Sequence, residues 1–408
     1  MTDYINNPSA GAVVGAIVEY VSDDNYIGVL PANGDAFKLT DYPELAIVLP
    51  GGLLPTSNTI GAAIVTGVSG ASSVNGTVNT TPVPFTSLSI IPKGFGVSAS
   101  NGWSIGTNGN GIWIASLFNS VVVRSTDNGL TWAALPSNLG LVHGSSFNVI
   151  RTDRKGTWIA GGAADSTLAR STDNGETWNA IQYFTTGGRT VRSLDTDNNG
   201  VWVAGLDDGY AARSTDNGET WTALARGLSS GSIRNNRTLY TDRKGTWIVG
   251  MDDGYAARST DNGATWNPLP RGLNSGDIQA HVYRIDTDES GVWVACKING
   301  YASRSTDNGL TWTALPRGLN SGGSSIYSLR TDRKGTWIVG MDAGYITQSL
   351  DNGVTWSALP RGLTNAVVSN ISDIDVGDDG VWVAIFLDSN AERFKLQGTT
   401  TKKQWTLS

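Results

Sequence analysis

Ser-Thr-Asp-Asn-Gly-Leu-Thr-Trp, residues 125–132, is the stretch on which the reading of this chain turns. It returns as STDNGETW at 171–178 and 214–221, STDNGATW at 259–266, STDNGLTW at 305–312 and SLDNGVTW at 349–356. The closing residues Trp132, Trp178, Trp221, Trp266, Trp312 and Trp356 are spaced 43 to 46 apart. A period in the forties marks one supersecondary unit repeated, and such a unit buries its faces only by stacking on copies of itself.

A second tryptophan column fills in the count. Trp113, Trp158, Trp202, Trp247, Trp293, Trp337 and Trp382 each follow a Gly-X dipeptide, in runs such as GTWIVG. Trp405 lies 23 residues after Trp382, so residues 394–408 read as the end of a seventh unit that has lost its turn motif; Trp103 is left over. Each unit divides into four short strands. In the third they are VRSLDT, VWVAGL, YAARST and TWTAL, separated by the turns DNNG, DDG and DNGE. Four strands in about 45 residues fit one blade. The expected fold is all-β: a seven-bladed β-propeller with four-stranded blades over 101–408, preceded by a small β-rich N-terminal module. The first unit brings its own inner strand, WSIGTNGNGIWIA at 103–115, so closure of the ring need not take a borrowed strand. An added strand from 86–100 stays open.

A finer alternation runs inside the repeat. TDRKGTWI occurs at 152–159, 241–248 and 331–338, in the second, fourth and sixth units, whereas the odd units carry TDNNGVWV, TDESGVWV and GDDGVWV. This points to growth by duplication of a two-blade unit. Both D-R-K-G and D-N-N-G read as hairpin turns whose glycine takes a positive φ.

Composition narrows the chemistry. The 408 residues include 51 Gly, a single cysteine (Cys296) and two histidines (His143 and His281), which leaves little material for a disulfide framework, a zinc site or a Ser-His-Asp triad. Net charge is −7, with seven acids against Lys38 and Lys93 in residues 1–100 and near balance beyond, so the basic surface of a nucleic-acid binder is missing. The apolar run 10–18 is too short to span a bilayer, and the start MTDYINN lacks the positive region of a secretion signal. A product of a reducing cytoplasm that inserts in no membrane is expected.

S-x-D-x-G-x-[TS]-W resembles the Asp-box, or BNR repeat, of sialidases and other propellers. Locally, Asp127, Asp173, Asp216, Asp261, Asp307 and Asp351 suit Asx-type bonds across their own loops, and Gly129, Gly175, Gly218, Gly263, Gly309 and Gly353 suit the left-handed conformation. These residues read as scaffold, and one carboxylate per turn is too few ligands for calcium. The resemblance implies that the box lies on the face away from any active site. A sialidase would also carry an arginine triad, a Tyr–Glu pair, an Asp acid and an F/YRIP motif. The nearest stretch, SIIPKGF at 89–95, lacks the arginine, and seven blades depart from the six of that family. No catalytic residue, cofactor or metal is therefore expected.

The opposite face collects the loops between second and third strands and those between blades. The candidate ligand-binding rim is Asp207, Asp208, Tyr210, Arg226, Asp252, Asp253, Tyr255, Arg271, Tyr301, Arg317, Asp342, Tyr345 and Arg361. Aromatic faces beside planar hydrogen-bonding groups suit sugars, and arginine suits acidic sugars or phosphate. The same residues also read as ordinary loop-ordering groups.

Residues 14–48 resemble the tail-collar module of phage tail fibres. Gly15, Ile17, Tyr20, Pro31, Asn33, Gly34, Tyr42, Pro43, Glu44 and Leu45 occupy its pattern, with IGVLPANG in place of the usual GWL-type segment. The expected organisation is an attachment module over 1–49, a Gly/Ser/Thr-rich linker or stalk over 50–100, and the propeller over 101–408. The resemblance implies a virion component of a tailed phage, a tail-fibre or baseplate protein made in the bacterial cytoplasm. Its partners would be other tail proteins and a host-surface polysaccharide, with homo-oligomers open. A glycan depolymerase on the same fold and a purely structural decoration are the alternatives.

Overall fold

The structure is a computed structural model. It describes the backbone of 76–78, 86–91 and 403–405, Phe95, and residues 101–395 apart from connecting segments within 137–145, 163–166, 182–188, 227–233, 277, 321–324, 360–368 and 388–390. The tail-collar-like module and nearly all of the proposed linker fall outside these residues, as does Arg361. Two units separate, one of 1–85 with 397–408 and one of 86–396. Within the first, Gly76–Val78 pairs antiparallel with Lys403–Trp405.

The second unit is a seven-bladed β-propeller built from four-stranded antiparallel sheets. Its inner strands are Gly102–Thr107, Phe147–Thr152, Val191–Thr196, Asn236–Thr241, Val282–Thr287, Ile326–Thr331 and Ile371–Val376. Each neighbours the next, and the last neighbours the first, so the ring is closed. The second strand of each blade carries the first-column tryptophan at or next to its start and is buried throughout, as in Trp202–Leu206 and Trp247–Met251. Fully buried tryptophans remove on the order of 200 Å² each from water, about 5 kcal/mol apiece before entropy is charged against them.

The seventh blade corrects the sequence reading. Its outer strand is Thr86–Ile91, paired with Ala391–Lys395, so the ring does close with a strand from the N-terminal side. Trp405 does not end this blade; it pairs with Gly76 in the other unit. The third strand has Phe394 opposite Trp382, where other blades have the serine that opens the octapeptide, and the two rings stack at 6.3 Å.

The octapeptide turn is self-contained. In the third blade, Asp216 Oδ1 accepts from Ser214 Oγ (2.6 Å), Glu219 N (3.1 Å) and Thr220 N (2.9 Å), and Oδ2 accepts from Thr220 Oγ1. Gly218 has φ 80°, a conformation that favours glycine, and a Cβ there would lie 2.2 Å from Ile159 Cδ1 of the neighbouring blade, which would have to move. These bonds hold the carboxylate in its charged form: desolvation works against them, yet the pKa of Asp173, Asp216, Asp261 and Asp307 falls to about 2.

The residues flanking that aspartate join blade to blade. Asn262 Oδ1 accepts from Trp247 Nε1 (2.8 Å) while its Nδ2 donates to Asp197 Oδ2 (2.8 Å) of the preceding blade. Arg213 Nε donates to Asn262 O (2.8 Å), and Arg124, Arg170, Arg258, Arg304 and Arg393 make the same bond to the turn of the next blade. The sixth blade, which faces the seventh and its missing turn, has Gln348 at this position. Cation and octapeptide motif are thus lost together.

The even–odd alternation has a physical basis along the axis. The fifth residue of the inner strand is Arg151, Tyr240 or Arg330 in even blades and Asp195, Asp286 or Asp375 in odd ones, with Gly106 in the first. Buried Arg330 meets Asp375 Oδ1 (3.1 Å), Asp286 Oδ2 (3.8 Å) and the Tyr240 hydroxyl, which also accepts from Arg151 Nη2 (3.1 Å). Burial raises Asp286 to about 6 despite Arg330 and Arg333. The turns below repeat the pattern: Arg243 meets Glu289 at 2.6 Å, Arg333 shares that carboxylate, and Arg154 meets Asp378 at 2.6 Å. The duplication seen in the sequence is an alternation of charge.

Candidate functional site

Inner strands enter the ring on the face opposite the octapeptide turns, and each entry carries a bulge. The register of every inner strand shifts around its second residue: Trp103, Asn148, Arg192, Arg237, Tyr283, Tyr327 and Ser372. A bulge bends its strand and re-aims the extra side chain. Side chains from five or more blades meet here around a cavity of about 40 Å³, whose lining includes Trp103, Asn148, Arg192, Arg237 and Arg284. This is the axial mouth.

The candidate rim residues divide around it. Arg192 Nε donates to Asp207 Oδ1, and Arg237 Nε donates to Asp252 Oδ1 (2.5 Å). These two carboxylates therefore reach the mouth through its arginines. Asp252 also accepts from Asn235 Nδ2 (2.8 Å) and has His281 Nδ1 at 3.2 Å from its Oδ1. Asp208 and Asp253 are held farther out by Arg189 and by Arg234 (2.7 Å). Ser325 N donates to Asp342 Oδ1 (3.2 Å), and Tyr345 packs against the core shared by the fifth and sixth blades.

The inter-blade arginines order loops. Arg226, Arg271 and Arg317 lie over Tyr210, Tyr255 and Tyr301 at 4.7, 4.7 and 5.0 Å. Arg226 Nε donates to Asp208 O (2.9 Å), Arg271 Nε to Asp253 O (2.8 Å) and Arg317 Nε to Asn299 O (3.4 Å). Each pair clamps the loop from which its tyrosine comes, with the guanidinium on the ring face.

Residues absent from the sequence-based rim now stand out. Trp103 is 37% exposed at the mouth. Tyr283 and Tyr327 meet edge to face at 6.1 Å, and Arg284 lies over Tyr283 at 4.5 Å. Deeper in, Arg151 Nη1 donates to Ser104 Oγ (3.3 Å) and Ile150 O (2.7 Å), with Asp373 Oδ2 4.0 Å away. Burial opposes the Arg151 charge, but Tyr240 and the carboxylates of Asp373 and Asp195 outweigh it and raise its pKa. The signal was present in the sequence: position two of the inner strand reads W, N, R, R, Y, Y, S while the octapeptide turns repeat.

Cys296 is buried, and burial pushes its thiol far up, so it stays protonated. Among the described residues no cluster of His, Cys, Asp and Glu has the form of a metal site, and no helix is long and apolar enough to cross a membrane.

No protein-family model and no curated protein matches the chain. Solved structures do. YCF48 bound to a D1 peptide is 17% identical with a TM-score of 0.60, over 79% of this chain and 98% of that one. The GH74 xyloglucanase from Xanthomonas campestris is 15% identical with a TM-score of 0.60, over 78% of this chain and 54% of that one. The WD40 propeller domain of Doa1 is 14% identical with a TM-score of 0.55, over 78% and 98%. At these identities the likeness is one of fold.

Proposed function

We propose that this chain is a virion component of a tailed phage, a tail-fibre or baseplate protein whose propeller binds a host-surface polysaccharide. Its N-terminal segment would attach it to other tail proteins. What supports the attachment role is the tail-collar-like pattern from Gly15 to Leu45, and what supports an outward-facing adhesin is the Asp-box-like propeller behind it. The chain would be made in the bacterial cytoplasm and work on the virion.

One observation favours binding over glycan cleavage. The rim carboxylates Asp207, Asp208, Asp252 and Asp253 all sit in ion pairs with arginines, while the Trp103 ring stays exposed at the mouth. Glycoside hydrolysis needs two carboxyl groups available to the substrate, one of them as an acid. Stacking and fixed hydrogen bonds serve reversible sugar contact, and several copies on one particle would multiply a weak affinity.

The test uses the full-length chain, because the closing strand Thr86–Ile91 precedes the repeat. Labelled protein is incubated with intact bacteria and with their capsule and lipopolysaccharide, and soluble sugar release is followed alongside binding. Saturable binding without release is expected. Release that disappears in Asp207→Asn and Asp252→Asn variants would establish the depolymerase instead, and failure to bind any surface would leave a structural decoration.

A further inference from the structure

Resting on the glycan-binding reading, we propose that the axial mouth is a subsite for an acidic sugar: Arg284 takes the sugar carboxylate and Trp103 carries its ring. The third residue of the inner strand is Ser104, Val149, Ser193, Thr238, Ser328 or Asp373 in the other blades, and Arg284 alone brings a cation there. Its neighbours at the mouth, Arg192 and Arg237, are bound to Asp207 and Asp252. Arg284 is held by neutral groups: Nη1 donates to Tyr283 O (2.9 Å), Nη2 to Ser372 O (3.4 Å), and the guanidinium lies on the Tyr283 ring. Among the described residues no carboxylate lies within ion-pair distance of it. A guanidinium fixed in place, with its charge unmatched and its plane on an aromatic face, is organised for a planar anion before that anion arrives.

The cavity has room for the anionic group, since about 40 Å³ admits a carboxylate. The ring would remain outside, where Trp103, lining the same cavity, presents an indole that is 37% exposed. Sugar rings lay their C–H faces on such surfaces, and the acidic group then enters beside them. The bulges explain how the fold provides this: the backbone device is the same in all seven blades, whereas the side chains it aims differ. Divergence at the second and third positions of the strand entry, beside turns that repeat, marks the part that meets something other than the repeat itself.

Isothermal titration calorimetry on the full-length protein tests the assignment. The probes are oligomers of galacturonate, glucuronate and sialate, each with its carboxyl-reduced counterpart, and a hexaglutamate peptide. At least one acidic oligomer is expected to bind ten- to a hundredfold more tightly than its reduced form. Arg284→Gln should erase that difference, leaving the reduced oligomer unaffected, and Trp103→Ala should weaken both forms roughly tenfold. Melting temperatures of both variants should stay within about 2 °C of the parent, which separates lost contact from lost fold. Equal affinity for acidic and reduced oligomers, or indifference to Arg284→Gln, would overturn the acidic-sugar assignment and leave glycan binding standing. Tighter binding of hexaglutamate than of any sugar would replace the glycan with an acidic peptide. No binding to any of these probes, together with no binding to host cells, would sink both readings.

Discussion

The two faces of the propeller are built on opposite rules. On the octapeptide face, side chains repeat and so do their contacts, from the Asp216 bond set to the Arg213 bridge. On the mouth face the backbone repeats, with a bulge in every inner strand, while the bulged side chain changes from Trp103 to Asn148 to Arg192 and onward. Repeated chemistry is what holds the ring; repeated geometry bearing different chemistry is what it displays. Mutations should respect that division.

The largest effect should come from removing the closing strand. A chain starting after Ile91 leaves Ala391–Lys395 as an unpaired edge, and thermal unfolding should begin many degrees lower, with aggregation at the exposed strand. Trp247→Ala, deep between blades, should cost about 3–5 kcal/mol in urea unfolding. Arg213→Ala should cost about 1–2 kcal/mol by the same measurement, because Asn262 O loses a charged donor. Trp103→Ala should stay within about 0.5 kcal/mol of the parent although it lies at the same ring; a loss comparable to Trp247→Ala would abolish the distinction between the faces.

Acid provides a further contrast. The folded pKa of Asp173, Asp216, Asp261 and Asp307 is depressed to about 2, so their stabilisation is complete above about pH 4 and is lost as pH falls through 2. Asp286 has the opposite sign: its folded value is raised to about 6, so its contribution is complete below about pH 4 and is lost as pH rises through 6. Melting temperature should fall between pH 4 and 2, and Asp216→Asn should blunt that fall slightly. Asp286→Asn should leave the acid limb unchanged and flatten the slope between pH 4 and 7.

Much of this was legible in the chain because the repeat is its own alignment. The blade number, the strand order within a blade and the scaffold role of the Asp and Gly positions all follow from columns of identical residues. Closure was not legible in this way. Thr86–Ile91 has no tryptophan and no motif, since an outer strand contributes one edge and little core, and Trp405 in KKQWTLS offered a false partner at nearly the right spacing. The rim was half legible. Loop residues such as Arg226 and Arg271 attract attention because they recur, and they recur because they clamp loops. Trp103 and Arg284 were passed over because they do not recur.

Around the axis, acids of odd blades alternate with cations or a tyrosine of even ones. A closed circle of alternating signs needs an even number of members, and this circle has seven. Parity therefore forces two odd blades together, and the mismatch falls between the seventh and the first. There the first blade has given up its acid for Gly106, and the seventh meets it with one oxygen of each carboxylate on neutral donors: Asp373 Oδ2 accepts from Ser104 Oγ and Ile105 N (both 3.1 Å), and Asp375 Oδ2 from Thr107 N (3.0 Å), while Asp375 Oδ1 keeps Arg330 of the sixth blade. A ring assembled from two-blade units thus carries one frustrated seam by arithmetic alone, and it coincides with the blade that borrows its outer strand. An eight-bladed relative made by inserting one even blade at this junction would have no such seam.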